Sequence, residues 1–314
     1  MQHILSRLKP YLRWIILGGT LFFLITAFKN NWQEVAAIRI ATLGWLTLAI
    51  ALGVTLIAHI WSGWVWTWIL EEFNQTVNIP QFVRVYLQTN IAKYLPGNVW
   101  HYYGRISAAK TAGIPTSIAA LSVLLEPLLM AAAAIVLALL GIQSAIALTQ
   151  SYIQLLLFFV LAGVLLAIHP HLLNLAMRLL SRMKFKSTVN TSDRVLCQIK
   201  RYPWRPLLGE LGFVGLRGTG FLLTLLAIIP LSIERIPLLF AAFSLAWVLG
   251  LVIPGAPGGL GVFEVTAIAL LQHSFSTGAV ISAIALYRFI SITAEAAGAG
   301  LALISWKLEV GSQK

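Results

Sequence analysis

Long apolar runs constrain this chain more than any other feature: Tyr11 to Phe28, Leu43 to Leu70, Ile114 to Leu140, Tyr152 to Ile168, Leu207 to Ile229 and Ala279 to Trp306. Each reaches or approaches the ~20 residues that carry a helix across a bilayer. In hydrocarbon a backbone must satisfy its own N–H and C=O groups, and runs of this length do so as helices. Only 10% of the 314 residues are charged, against roughly 25% in a soluble domain, too few to cover a water-facing surface. The fold class that follows is an all-α polytopic membrane protein, with about six transmembrane helices of that length. A single integral membrane domain is expected over 1–314.

The net charge of +12 is unevenly placed. Between His169 and Pro206 stand Arg178, Arg182, Lys184, Lys186, Arg194, Lys200, Arg201 and Arg205 against the single acid Asp193, and Arg7, Lys9 and Arg13 precede the first apolar run. Lys and Arg gather in cytoplasmic loops and draw them toward anionic headgroups. The pattern therefore argues for a basic cytoplasmic loop over 169–206, or a docking segment there, and against nucleic-acid binding. The first apolar run exceeds a signal core, and no small-residue cleavage site follows it, so the amino terminus reads as uncleaved. With both termini in the cytosol, the expected location is the cell (plasma or inner) membrane. The lone Cys197 excludes an internal disulfide and a cysteine-built metal site.

Two segments break the apolar pattern. Pro80 to Lys110 is too polar to span, and reads as two short helices flanking Pro96-Gly97. The second break is I253-P-G-A-P-G-G-L-G-V-F-E264, with apolar segments 237–252 and 265–272 on either side. Non-helical backbone at membrane depth requires protein or a water-filled cavity around it, so both segments are read as re-entrant broken-helix hairpins bordering an interior site. The charge rule makes the first enter from the cytosol and the second from outside. Halves at about 43–140 and 207–306 then form an inverted repeat, the plan of many transporters. A short match supports it: T111-A-G-I-P-T-S-I-A-A-L121 aligns Gly113 with Gly278 and Ser117 with Ser282 in S276-T-G-A-V-I-S-A-I-A-L286.

The candidate site residues cluster at these breaks. Pro96 disfavours helix at Leu95, Gly97 permits a turn, and Asn98 is a good cap for a helix restarting at Val99. A half-helix amino terminus there would suit an anion, with Lys93 and Arg105 beside it and Tyr94 as a wall; a plain kink with snorkelling cations is the alternative. At the second break, Gly258, Gly259 and Gly261 allow a ligand's close approach, or equally tight packing. Intramembrane charges usually face the bundle interior and find partners; these are Glu126, Glu264, Arg288 and Glu295. Arg288 could pair with Glu264 or Glu126, meet a lipid phosphate, or strain toward Glu295. Glu126 and Glu295 are also candidates for proton or cation coupling. Trp61, Trp64 and Trp68 read as interface anchors, and Ala294, Gly298 and Ala302 as a small-residue packing stripe. Nothing resembles a nucleotide loop, a zinc site or a nucleophile elbow, so no cofactor and no metal are expected.

KYLPGN with its following Tyr/Gly/Arg stretch, a span bearing Glu126, and then IPGAPGGLGVFE resemble the membrane domain of lysylphosphatidylglycerol synthase/flippase proteins and its stand-alone relatives, over nearly the whole chain. The resemblance implies a flippase-like transporter moving an anionic phospholipid or lipid-linked headgroup between leaflets. Lys93, Arg105 and Arg288 would supply positive charge between the two hairpins. Only Gly-Ser-Gln-Lys follows Val310, so the aminoacyltransferase domain of the two-domain members is expected to be missing. Pro127 stands where an Arg often follows the third-span Glu in the family, a departure that either loses an intramembrane cation or moves its role to Arg105 or Lys93. The implied partners are anionic membrane lipids and a separate lipid-modifying enzyme, and a homo-oligomer is left open. A membrane-embedded enzyme of lipid or glycan assembly, using Glu126, Glu264 or His101 as acid or base, is the second reading. A non-transporting subunit of a lipid synthase is the third.

Overall fold

The computed structural model describes residues 25–95, 99–141, 151–175, 199, 201–253 and 259–312. Every regular element among them is helical. In chain order these are α1 (Trp32–Ala37), α2 (Thr42–Glu72), α3 (Ile79–Asn90), α4 (Trp100–Thr111), α5 (Thr116–Gly141), α6 (Ser151–Ala167), α7 (Trp204–Leu226), α8 (Ile236–Val252), α9 (Val262–Leu271) and α10 (Thr277–Ser312). Single 3₁₀ turns occupy Ile91–Tyr94 and Ile233–Arg235.

Among the described residues, four helical stretches are long and apolar enough to cross a membrane: Thr42–Glu72, Thr116–Gly141, Ile233–Val252 and Thr277–Ser305. The 31 residues of α2, at about 1.5 Å each, extend roughly 46 Å, beyond a hydrocarbon core of about 30 Å. The chain is an all-helical, multi-pass membrane protein, as its composition predicts.

The distribution of spans differs from expectation in detail. Residues 237–252, read as one arm of a hairpin, lie in a stretch long enough to span. The expected span at 207–229 forms the 23-residue α7, which is not among the four. Its apolar run is diluted by Glu210 and Arg217 and by Gly209, Gly212, Gly215, Gly218 and Gly220. The expected run at 152–168 gives a shorter apolar helix over Gln154–Ala167. Most of the first run and most of the basic loop lie outside the described residues.

The chain divides into two compact units, with each boundary falling inside a helix. The first comprises the described parts of Met1–Thr55, Ala134–Gln154 and Gly215–Ala294; the second those of Leu56–Ala133, Leu155–Val214 and Glu295–Lys314. An aromatic cluster forms the core of the first unit: Phe221, Phe243, Phe263 and Tyr287 are buried, with ring centroids 5.4 Å apart for Phe221 and Tyr287 and 5.7 Å for Phe243 and Phe263. Edge-to-face contacts at such distances add to simple burial. In the second unit, Trp66, Phe73, Phe82, Ile118, Leu125 and Leu129 make the core.

Each unit holds one broken-helix pair. In the second unit α3 packs against α4. Asn78 starts α3 by accepting from the Gln81 N–H at 3.0 Å, and Pro80 sits in the first turn, where its missing N–H is harmless. At the other end Leu95 is extended, with φ −70° and ψ 147°, the geometry expected before a proline. In the first unit α8 packs against α9 and ends at an extended Ile253. Gly113 and Gly278, aligned by the repeat, differ in conformation: Gly113 has φ +89° in the turn before α5, whereas Gly278 lies in the first turn of α10.

Candidate functional site: buried ion pairs beside the helix breaks

Lys93 falls on the 3₁₀ turn that ends α3, where the helix tightens before Pro96. Its ammonium donates to Glu295 Oε1 at 2.7 Å, and the same oxygen lies 3.3 Å from His59 Nε2. Asn90 Nδ2 lies 3.4 Å from His59 Nδ1. If the amide donates there, the imidazole is left with an Nε2–H directed at the carboxylate, a tautomer assigned from the hydrogen bonds. Glu295 is enclosed, its side chain 1% exposed, while Lys93 keeps 21%. Lys93 also stands 5.3 Å from the centroid of the Tyr94 ring. The apolar medium forces such pairing, because an unpartnered charge there costs several kcal/mol.

A second pair lies in the same unit. Arg105 of α4 donates from Nη1 to Glu126 Oε2 at 2.6 Å, with both side chains 3% exposed. The guanidinium sits 3.7 Å from the centroid of the Tyr86 ring, a desolvated cation–π contact. The Tyr86 hydroxyl donates to Glu126 Oε1 at 2.7 Å, and Ser62 Oγ lies 2.7 Å from that hydroxyl. Glu126, followed in sequence by Pro127, thus takes its cation from Arg105 of α4.

The first unit holds the other expected residues. Gly261 adopts φ +88°, a conformation that L side chains avoid. Its N–H donates to Glu264 Oε2, so the carboxylate closes the first turn of α9. The other oxygen, Oε1, accepts from Arg288 Nε. Arg288 Nη2 also donates to the carbonyl of Gly259 at 3.2 Å, and Gly259 itself has φ +71°. Arg288 and Glu264 therefore hold the described end of the glycine-rich break in shape. A Cβ on Gly259 would come within 3.0 Å of the Gly250 carbonyl, so Gly259 serves the close approach of α8.

The expected residues therefore fall into separate clusters. Lys93, Tyr94, Arg105, Glu126 and Glu295 belong to the second unit, and Gly259, Gly261, Glu264 and Arg288 to the first. Glu295 pairs with Lys93 rather than Arg288. Pro96, Gly97, Asn98 and Gly258 lie outside the described residues. Helix α4 begins at Trp100, with Val99 in the capping position and no side-chain cap bond, one residue later than the expected restart.

Two buried charges escaped the sequence reading. Glu210 is 0% exposed and Arg217 6%. Arg217 Nη1 donates to Ser291 Oγ at 2.9 Å, and its guanidinium lies 5.3 Å from the Tyr287 ring centroid. Both interrupt the apolar run at 207–229, seven residues apart and so on one helical face. That spacing was the available signal. His101 is buried, its ring centroid 3.8 Å from that of Tyr102. Trp61, Trp64 and Trp68 form a mutual cluster, and Trp61 Nε1 donates to the Gly209 carbonyl at 2.7 Å.

No curated protein matches the chain. The family described as "Lysylphosphatidylglycerol synthase TM region" matches residues 12–297. That interval contains both helix breaks and all the ion pairs above, and the chain belongs to this family of lipid-related membrane domains.

Proposed function

We propose that this membrane domain moves an anionic phospholipid, or a lipid-linked anionic headgroup, between leaflets, with Lys93 as the group that meets the phosphate. The observation that carries the reading is the Lys93–Glu295 pair: a partly exposed ammonium on a helix break, held by a carboxylate fully enclosed in protein. A headgroup phosphate can take the ammonium from Glu295 while His59 remains beside the carboxylate as a polar partner. Intramembrane ionisable residues of this kind mark substrate paths. Arg288, bonded to both Glu264 and Gly259, is assigned to shaping the glycine-rich break rather than to the headgroup. In this reading both broken-helix pairs are re-entrant, the termini face the cytosol, and the domain lies in the cell membrane.

The test is leaflet exchange of labelled anionic and zwitterionic phospholipids in liposomes holding the purified chain. Wild type should speed exchange of the anionic probe, Lys93→Ala should lose at least about tenfold of that rate, equivalent to ~1.4 kcal/mol, and Lys93→Arg should keep part of it. Exchange indifferent to Lys93→Ala in folded protein would remove the phosphate contact from this residue. A folded wild type inert toward every anionic phospholipid supplied would refute the translocation reading.

A further inference from the structure

Helix α4 carries an unexplained polar group at its start. His101 stands in the first turn and is 7% exposed, and its Nδ1 is buried without a hydrogen-bond partner among the described residues. Buried ring nitrogens are seldom left idle, and a ligand group is one of the few reasons for one. His101, Arg105 and Ala109 are the buried residues of α4, spaced four apart on one face, whereas Trp100 and Tyr103 are 50% and 67% exposed. The imidazole therefore faces the interior of the second unit from the opening turn of the helix.

The backbone of that turn is open as well. The Tyr103 N–H makes the first bond of the ladder, to the Val99 carbonyl at 3.0 Å. The His101 and Tyr102 N–H groups precede it and have no carbonyl of the helix to meet. Val99, in the capping position, has no side-chain oxygen to offer them. Side chains of a first turn lean back toward the helix start, so the ring of His101 and these amides address the same space. With its proton on Nδ1, a neutral imidazole adds a third donor to the two amides. The positive end of the helix dipole favours an anion there. Arg105, one turn on, is committed to Glu126 at 2.6 Å, but the 3₁₀ turn that carries Lys93 packs against α4. Donors alone, with a cation on the adjoining turn, suit an acceptor-only group such as phosphate.

We propose that the opening turn of α4 is a phosphate-binding site, in which the His101 and Tyr102 amides and His101 Nδ1–H hold the oxygens and Lys93 supplies the countercharge. The assignment rests on the reading that a phosphate-bearing headgroup passes this break, and it adds His101 as a residue that selects the ligand.

The test is calorimetric titration of the purified full chain in detergent with inorganic phosphate, dihexanoyl phosphatidate and uncharged dihexanoylglycerol. Wild type should bind phosphatidate at least about tenfold more tightly than dihexanoylglycerol. Comparable binding of inorganic phosphate would make free phosphate a sufficient ligand, and binding of phosphatidate alone would make the source a lipid headgroup; either supports the site. His101→Phe keeps a ring beside Tyr102 and removes both nitrogens. It should weaken phosphatidate binding at least about tenfold, the loss of a hydrogen bond to a charged group, without lowering the thermal midpoint, because Nδ1 bonds no protein group among the described residues. A second measurement needs no stable Phe variant: in protein labelled with ¹⁵N at histidine, phosphatidate should shift an imidazole signal that is missing from His101→Asn. Unchanged binding in His101→Phe, an unmoved His101 signal, equal affinity for phosphatidate and dihexanoylglycerol, or a folded wild type that binds no phosphate probe overturns the proposal. Phosphatidate binding that depends on His101 in a chain that exchanges no lipid would refute translocation and leave the site standing. Lys93-dependent exchange with binding indifferent to His101 would do the reverse.

Discussion

Arg105→Met replaces a buried guanidinium with a side chain of comparable length and no charge. The structure sets the size of the effect. The lost bond is 2.6 Å long, and both partners are 3% exposed, so bulk water cannot replace the missing cation. Breaking one side of such a pair costs about 3–5 kcal/mol, and the lost contact with the Tyr86 ring falls within that figure. At about 2 °C per kcal/mol for a large domain, the thermal midpoint should drop by roughly 6–10 °C. Arg105→Met combined with Glu126→Gln removes both charges and keeps an acceptor for the Tyr86 hydroxyl. The double variant should return to within about 2 °C of wild type, since neutral replacements of buried pairs are often tolerated. The assay is tryptophan fluorescence against temperature in one detergent at one scan rate. A double variant whose drop equals the sum of the single drops would refute the argument, for it would mean that Arg105 and Glu126 are not coupled.

Two further outcomes follow from the glycine-rich break. Gly261→Ala places a Cβ on a residue with φ +88° and ψ −49°, and should destabilise the chain by at least ~1–2 kcal/mol; an unchanged midpoint would show that this backbone conformation is not required. Glu264→Gln removes the ionic partner of Arg288 and weakens the acceptor for the Gly261 N–H. It should lower stability by about 3–5 kcal/mol and raise protease cleavage near 254–261, whereas a rise in cleavage elsewhere alone would move the latch to another segment.

Most of the fold was legible in sequence because the bilayer imposes a one-dimensional rule. A run of about 20 apolar residues must be helix, and a Pro-Gly pair within a polar stretch must interrupt it. Leu95 and Ile253 turned extended where the prolines required it. Legibility failed where polar residues interrupt an apolar run. Glu210 and Arg217 were absorbed into the expected span at 207–229, although seven-residue spacing placed them on one face.

The sequence by itself determined that this chain is a helical membrane protein, that its backbone breaks twice, and that a handful of charges must find partners inside it. It did not determine which partners. Arg288 could have met Glu264, Glu126 or Glu295, and Pro127 left Glu126 without the neighbouring cation expected beside it. The tertiary structure gave Arg288 to Glu264, Arg105 to Glu126 and Lys93 to Glu295. Those choices span 24, 21 and 202 residues of chain. Periodicity records which face of a helix is polar, but which face of which other helix it meets is decided only by packing, where no buried charge can be left unpaired without a proton or a partner.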